Sequence, residues 1–325
     1  MAYVKKQPLS GIREGDRVED IFVVKIKRGL SPYSKGHSFH LILTDSSGKT
    51  IDYKFWGGQD EAKVKEVYDS IKPDSVVYVQ GKASTYKDAL QISANETDAI
   101  KTLASHEYDA AEFIPPAIRD VEEMYGELTV HINAVKNPEL KAILDAVFSD
   151  KDRAALFKVH PGSIEIHHNR VGGLLEHTLQ VVEYCLLSKK LFPQLDEDMI
   201  ITGAILHDIG KLEEIQATSR IKGTTRGQLL GHVSMGFSVL LRITDELGTS
   251  EETKNKLLHI LISHHGKMEH GAPKEPMTPE AVAVHYADAA SCMIEEILGY
   301  RQWAIEKTDD EFMYSNRRQR NIYLK

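Results

Sequence analysis

A set of histidines and aspartates marks the second half of this chain: His177, His207-Asp208, His232, His264-His265 and Asp288. Neutral imidazoles and ionised carboxylates are the donors that Mn, Fe, Co, Ni or Zn accept. The absence of thiolate from the set argues against a structural zinc knot. A carboxylate can bridge two ions, so the set is long enough for a two-metal site, the kind that hydrolyses phosphate esters. Lys211 follows His207 by four residues and Asp208 by three, which puts its charge on the same helical side. There it could neutralise developing charge or assist a leaving group.

The elements that must position these residues read as helices. Ile201–Lys211 is apolar and lacks proline, so a buried helix ending near Gly210 is expected. On it His207 and Asp208 stand about 100° apart, close enough to face one cavity. His177 lies in Gly173–Tyr184, which has helical apolar spacing. His232 opens a helix continuing through Phe237, Val239 and Leu241, His264 and His265 end the run Leu257–Ser263, and Asp288 falls in Ala281–Ile294. Each helix would lend one or two ligands to one cavity. His131, His259 and His270 read as ordinary core or surface residues, and His285, three before Asp288, reads as core packing.

The first hundred residues have a different pattern. Ile21–Lys27, Ser38–Thr44, Thr50–Trp56, Val76–Lys82 and Ala89–Ala94 read as strands, with a helix at Gln59–Ile71 after the third. That order belongs to an OB-fold barrel. The expected organisation is therefore multidomain: a tail at 1–14, an all-β OB-fold at 15–103, a linker at 104–116 containing Pro115-Pro116, an all-α domain at 117–310, and a basic C-terminal segment at 311–325. Cys185 and Cys292 sit in apolar helical stretches and read as buried free thiols of a reducing cytosol. The N-terminus lacks the apolar core of a signal peptide, and no apolar run is long enough to span a membrane, so a cytoplasmic protein without a membrane partner is expected.

The spacing His177, His207-Asp208, Asp288 resembles the signature of the HD superfamily of metal-dependent phosphohydrolases. The added His232 and His264-His265 resemble its dinuclear branch, which includes HD-GYP-type phosphodiesterases. More narrowly, Pro161, His167-His168, Gly172–Thr178, His207–Lys211, Gly231-His232, Ser263–Gly266 and Pro276–Ala281 resemble the YhaM family of 3′-to-5′ exoribonucleases, which place an OB-fold before an HD domain. The chain departs from that pattern at Ser291, where many members carry an acid, and at Gly162–Ile166. The resemblance implies that His177, His207, Asp208 and Asp288 hold one divalent ion, and that Asp208 bridges to a second held by His232, His264 and His265. Manganese is the first expectation, with Co, Fe, Ni or Zn as alternatives. It also implies 3′-to-5′ digestion of a single strand to nucleoside 5′-monophosphates; His168, Asn169 and Arg170 are candidates to grip the scissile or next phosphate.

OB-folds hold single strands on aromatic side chains beside a basic track. In the third strand Ile51, Tyr53 and Phe55 read as core, leaving Lys54 and Trp56 to face a ligand. Tyr86 belongs to a loop these folds use for oligomers. Charge is a mild discriminator: residues 15–103 balance 13 Lys/Arg against 13 Asp/Glu, and the total of −8 leaves −10 on residues 104–325. Bound divalent ions would offset part of this locally. RNA and single-stranded DNA both stay open as partners, as does a homo-oligomer packing through Phe312–Lys325. Two other readings also stay open here: a small-nucleotide phosphohydrolase with a regulatory OB domain, and a non-catalytic single-strand binder.

Overall fold

The computed structural model describes residues 2–325 and divides into two compact units, residues 1–116 with 217–220, and residues 117–216 with 221–325.

In the first unit alternation of apolar and polar residues rolls the chain into a closed barrel. Its strands are β1 (Arg17–Lys27), β2 (Ser31–Tyr33), β3 (Gly36–Thr44), β4 (Thr50–Trp56), β5 (Val76–Tyr86), β6 (Ala89–Asn95) and β7 (Ile100–Thr102), with helix α1 (Glu61–Ser70) between β4 and β5. The order β1-β3-β4-β6-β5 closes by pairing β5 with β1, and β4 runs parallel to β6. Setting aside the short β2 and β7, this is the five-stranded OB-fold path. The sequence reading missed those two strands. Each is three residues long, too short for a period of two to register.

Two expected boundaries are corrected. The stretch before β1 is no tail: Leu9 and Ile12 are buried in the barrel core, and Asp20 accepts backbone N–H bonds from Lys6 and Gln7. The Pro-containing stretch after β7 is no free linker, since Phe113 packs with Ile21, Val23, Val76 and Leu103. Polar composition concealed a few apolar anchors in both segments.

The second unit is helical: α2 (Val121–Ala134), α3 (Pro138–Phe148), α4 (Lys151–Val159), α5 (Gly173–Leu191), α6 (Glu197–Leu206), α7 (Lys211–Glu214), α8 (Thr225–Glu246), α9 (Glu251–Ser263) and α10 (Pro279–Ile305). Two short hairpins add β8 (Ile215–Ala217) with β9 (Ile221–Gly223), and β10 (Phe312–Ser315) with β11 (Arg320–Tyr323). Side-chain caps satisfy orphan N–H groups at most helix starts, for example Asp196 on α6 and Thr278 on α10. Helix α6 is buried from Met199 to Leu206, so the turn that follows it is anchored on a rigid rod.

The C-terminal segment is likewise packed on its own unit. Ile322 and Leu324 bury against Ala304 of α10, and Glu296 takes ion pairs from Arg317 and Arg318. Among the described residues no helix is long and apolar enough to cross a membrane.

Candidate metal centre

Helix α6 ends at Leu206, four residues before the Gly210 stop that its apolar run suggested. His207 is its C-cap, and His207–Gly210 form the turn into α7. The turn needs glycine for room: a Cβ on Gly210 would lie 2.0 Å from the carbonyl oxygen of His232. That close approach brings α8 beside the His-Asp pair. Helix α8 is itself broken at Gly231 (φ 72°, ψ 153°), a left-handed φ that favours glycine, and His232 restarts it. His264 and His265 follow the end of α9, His177 lies on buried α5, and Asp288 lies on α10.

These residues converge on Asp208, whose two oxygens face different neighbours. Oδ2 lies 3.5 Å from His177 Nε2 and 3.3 Å from His207 Nε2, while Oδ1 lies 3.5 Å from His232 Nε2 and 3.7 Å from His264 Nε2. Asp288 Oδ1 joins the first group, 3.2 Å from His177 Nε2. His232, His264 and His265 form a second compact group of ligand atoms. Lys211 Nζ sits 2.6 Å from Asp208 Oδ2, on the side the sequence reading placed it.

The imidazoles are backed from behind. The Nδ1–H of His207 donates to the Ala204 carbonyl (2.7 Å), that of His264 to the Leu261 carbonyl (2.6 Å). The Nδ1–H of His232 meets Glu214 Oε2 at 3.0 Å. Ser291 donates its hydroxyl proton to Gln180, so its oxygen accepts from His177 Nδ1 at 2.9 Å. These bonds commit Nδ1 as the donor, leaving each Nε2 lone pair turned towards the carboxylates.

The donor set fits divalent ions. Oδ1 of Asp208, Nε2 of His232 and His264, and Nδ1 of His265 are buried with no hydrogen-bond partner, while Oδ2 of Asp208 has the Lys211 ammonium. Buried acceptors facing one another are costly unless a cation lies among them. Burial opposes ionisation of Asp208, yet Lys211 and His207 beside it hold its carboxyl well below the usual range. Burial, with His265 and His207 next to it, keeps His264 neutral, the form that ligates metal.

Several residues stand differently from expectation. Arg170 does not reach for a phosphate: its guanidinium is buried and committed to Glu176 (2.8 Å) and Glu295 (2.6 Å). His168 is fully buried at a left-handed φ of 50°, with burial pushing its imidazole down to about 2. Neither is free to grip a substrate from solvent, while Asn169 between them is half-buried. Cys292 is only partly buried, and its thiol donates to Asp288 Oδ1 at 3.2 Å, one helical turn away. His285 donates to the His264 carbonyl (2.6 Å) and so packs behind the site.

The sequence reading missed Glu214, Gln180 and Cys292 as neighbours of the ligands. Only their helical offset from a ligand, three or four residues, could have flagged them. Glu214 is the exception, reaching His232 across a turn that no spacing encodes.

On the barrel, β4 turns Ile51, Tyr53 and Phe55 inward, and Lys54 and Trp56 outward. Lys54 Nζ lies 4.3 Å over the Trp56 ring, and Tyr33 meets Trp56 edge-on at 4.9 Å. Pairing across β6 and β5 sets Ser93 beside Lys54 and Lys82 beside Ser93 on the same outer face. Tyr86, 58% exposed, lies on that face at the end of β5.

An HD domain matches residues 174–293. The chain is 31% identical over 276 residues to the 3′-5′ exoribonuclease YhaM of Bacillus subtilis (strain 168), covering 84% of each protein. The chain belongs to the YhaM family. It is therefore an enzyme, a nuclease whose helical unit carries the HD domain of a hydrolase superfamily. Among solved structures, the p204 HINb domain (12% identity, 31% of this chain and 47% of that one) aligns at a TM-score of 0.24. A replication protein A heterotrimer bound to ssDNA (15% identity, 37% and 29%) aligns at 0.26. Neither alignment is close enough to add to the assignment, and the barrel's own strand order carries the OB-fold.

Proposed function

We propose that this chain digests single-stranded RNA from its 3′ end, releasing nucleoside 5′-monophosphates, by a two-metal mechanism. The observation that supports it most is the division of Asp208, one oxygen towards His177 and His207, the other towards His232 and His264. On this reading His177, His207, Asp208 and Asp288 hold one ion, and Asp208, His232, His264 and His265 hold the other. Bound there, divalent ions supply Lewis acidity at the phosphoryl group and lower the pKa of the attacking water. Manganese suits these nitrogen and oxygen donors, as do Co, Fe, Ni and Zn.

The chain's own residues do the rest. Lys211, kept protonated against burial by Asp208, presents a fixed positive charge where the phosphate's charge grows. Glu214 and Ser291 hold two imidazoles in the ligating tautomer. Lys54, Trp56 and Tyr86 give the barrel a stacking and cationic face that takes a strand whatever its sequence. Single-stranded DNA would fit the same face, since stacking and cationic contacts do not depend on a 2′-hydroxyl.

The test is digestion of a 5′-labelled RNA oligomer with Mn²⁺, with Asp208→Ala as control. A ladder shortening from the 3′ end, absent in the control, is expected. An oligomer left intact over several metals would overturn the reading and favour a small-nucleotide substrate.

A further inference from the structure

The cavity of about 790 Å³ that opens onto Lys211, His232 and His265 has walls that metal chemistry does not explain. Ile164 and Ile166 contribute from the loop before α5, and Leu229 and Leu230 from the turn of α8 just ahead of Gly231. Leu229 is 78% exposed and Leu230 54%, although both stand within three residues of His232. Two large aliphatic side chains held in water beside a cluster of imidazoles are costly to leave uncovered. The same stretch of wall carries Glu165, exposed and acidic, which disfavours a further phosphate there. The part of a nucleotide that suits such a surface is its uncharged, flat part.

We propose that Leu229 and Leu230, with Ile164 and Ile166, form a subsite for the nucleobase of the 3′-terminal nucleotide. The inference rests on the exonuclease reading above. Apolar side chains contact either face of any base, so the subsite accepts all four bases and reports only that a base is present. It fixes the last nucleotide so that its 5′-phosphate lies at Asp208 and Lys211.

The experiment compares two RNA oligomers, one ending in an ordinary nucleotide and one in an abasic residue. First-cleavage rates are measured at saturating Mn²⁺ for the wild type and for Leu229→Ser/Leu230→Ser, a surface change that leaves the core intact. The wild type is expected to favour the base-bearing end about tenfold, equivalent to ~1.4 kcal/mol. In the variant the ratio should fall close to one, with metal content by elemental analysis unchanged. A variant keeping the tenfold ratio, or a wild type removing both ends equally, would overturn the subsite alone. A ratio that falls only together with metal content would make the leucines supports of the His232 turn and overturn it as well. A wild type that digests neither oligomer would remove the exonuclease reading and the subsite with it.

Discussion

The two sides of Asp208 are built differently. On the first side His177 and Asp288 come from within long helices, α5 and α10, and His207 caps α6, which is buried from Met199 to Leu206. Their backing groups are neutral: the Ala204 carbonyl and the Ser291 hydroxyl. On the second side His232 follows a helix break and His264-His265 follow a helix end, and His232 is backed by a carboxylate, Glu214. His232 and His265 also line an open cavity. One half is rigid and buried; the other lies at chain breaks and opens on the cavity. Backbone that leaves the helix at those points costs local stability but lets three adjacent-in-space imidazoles turn one way. The difference predicts a tightly held ion in the first seat and a more readily exchanged one in the second.

The largest effect should come from the residue both sides share. Asp208→Asn keeps the shape but removes the bridging charge, and should lower kcat by about a thousandfold or more, ~4 kcal/mol of barrier. Elemental analysis should show both ions weakened together. Loss of one alone would mean that the sides do not share a ligand.

Next comes Arg170. It ties Glu176, the neighbour of His177 on α5, to Glu295, two turns beyond Asp288 on α10. Removing it with Arg170→Ala strands the buried Glu176 carboxylate and unpairs the half-buried Glu295, which should cost about 3 kcal/mol of stability, read as a drop in the denaturation midpoint. If Arg170 instead served a phosphate, the midpoint would hold and only KM would rise.

The same contrast explains what was legible in the sequence. His177 and Asp288 lie on long helices whose period could be read, and His207-Asp208 close an apolar run, so their convergence is foreseeable from residue type. The barrel was readable from Ile51, Tyr53 and Phe55 alternating with Asp52, Lys54 and Trp56, because a strand's faces follow from parity. What stayed hidden depends on three-dimensional partners. Nothing local says that Arg170 is consumed by Glu176 and Glu295, a contact 125 residues away in the second case. Nor does composition reveal that Leu9, Ile12 and Phe113 anchor polar-looking segments, since one apolar residue has no period.

A smaller effect, confined to the second side, is expected from Glu214. Glu214→Ala removes the carboxylate that orients His232 and accepts its backbone N–H at 3.0 Å. Such supporting contacts are worth about 10–100-fold in metal affinity. In a calorimetric titration of the metal-free protein, the weaker of two binding steps should shift by that amount and the tighter one should stay. Movement of the tighter step would place Glu214's influence on the wrong side of Asp208.

The smallest and most discriminating change is Ser291→Ala. The hydroxyl gives its proton to Gln180 at 2.7 Å and so can only accept from His177, which pins the proton on Nδ1 and keeps Nε2 for the ion. Without it the Nδ1–H loses a buried acceptor but the ring stays wedged in α5, fully buried. A neutral partner polarises an imidazole less than a carboxylate does, so the loss should sit near the lower end, about tenfold. It should appear in the tighter binding step, opposite to Glu214→Ala. Ser291→Thr retains the hydroxyl and should restore most of it if the added methyl fits. Two variants that each weaken a different step would establish the two seats as separable. A common shift in both would mean that the cluster binds its ions as one unit, with Asp208 transmitting every perturbation across the site.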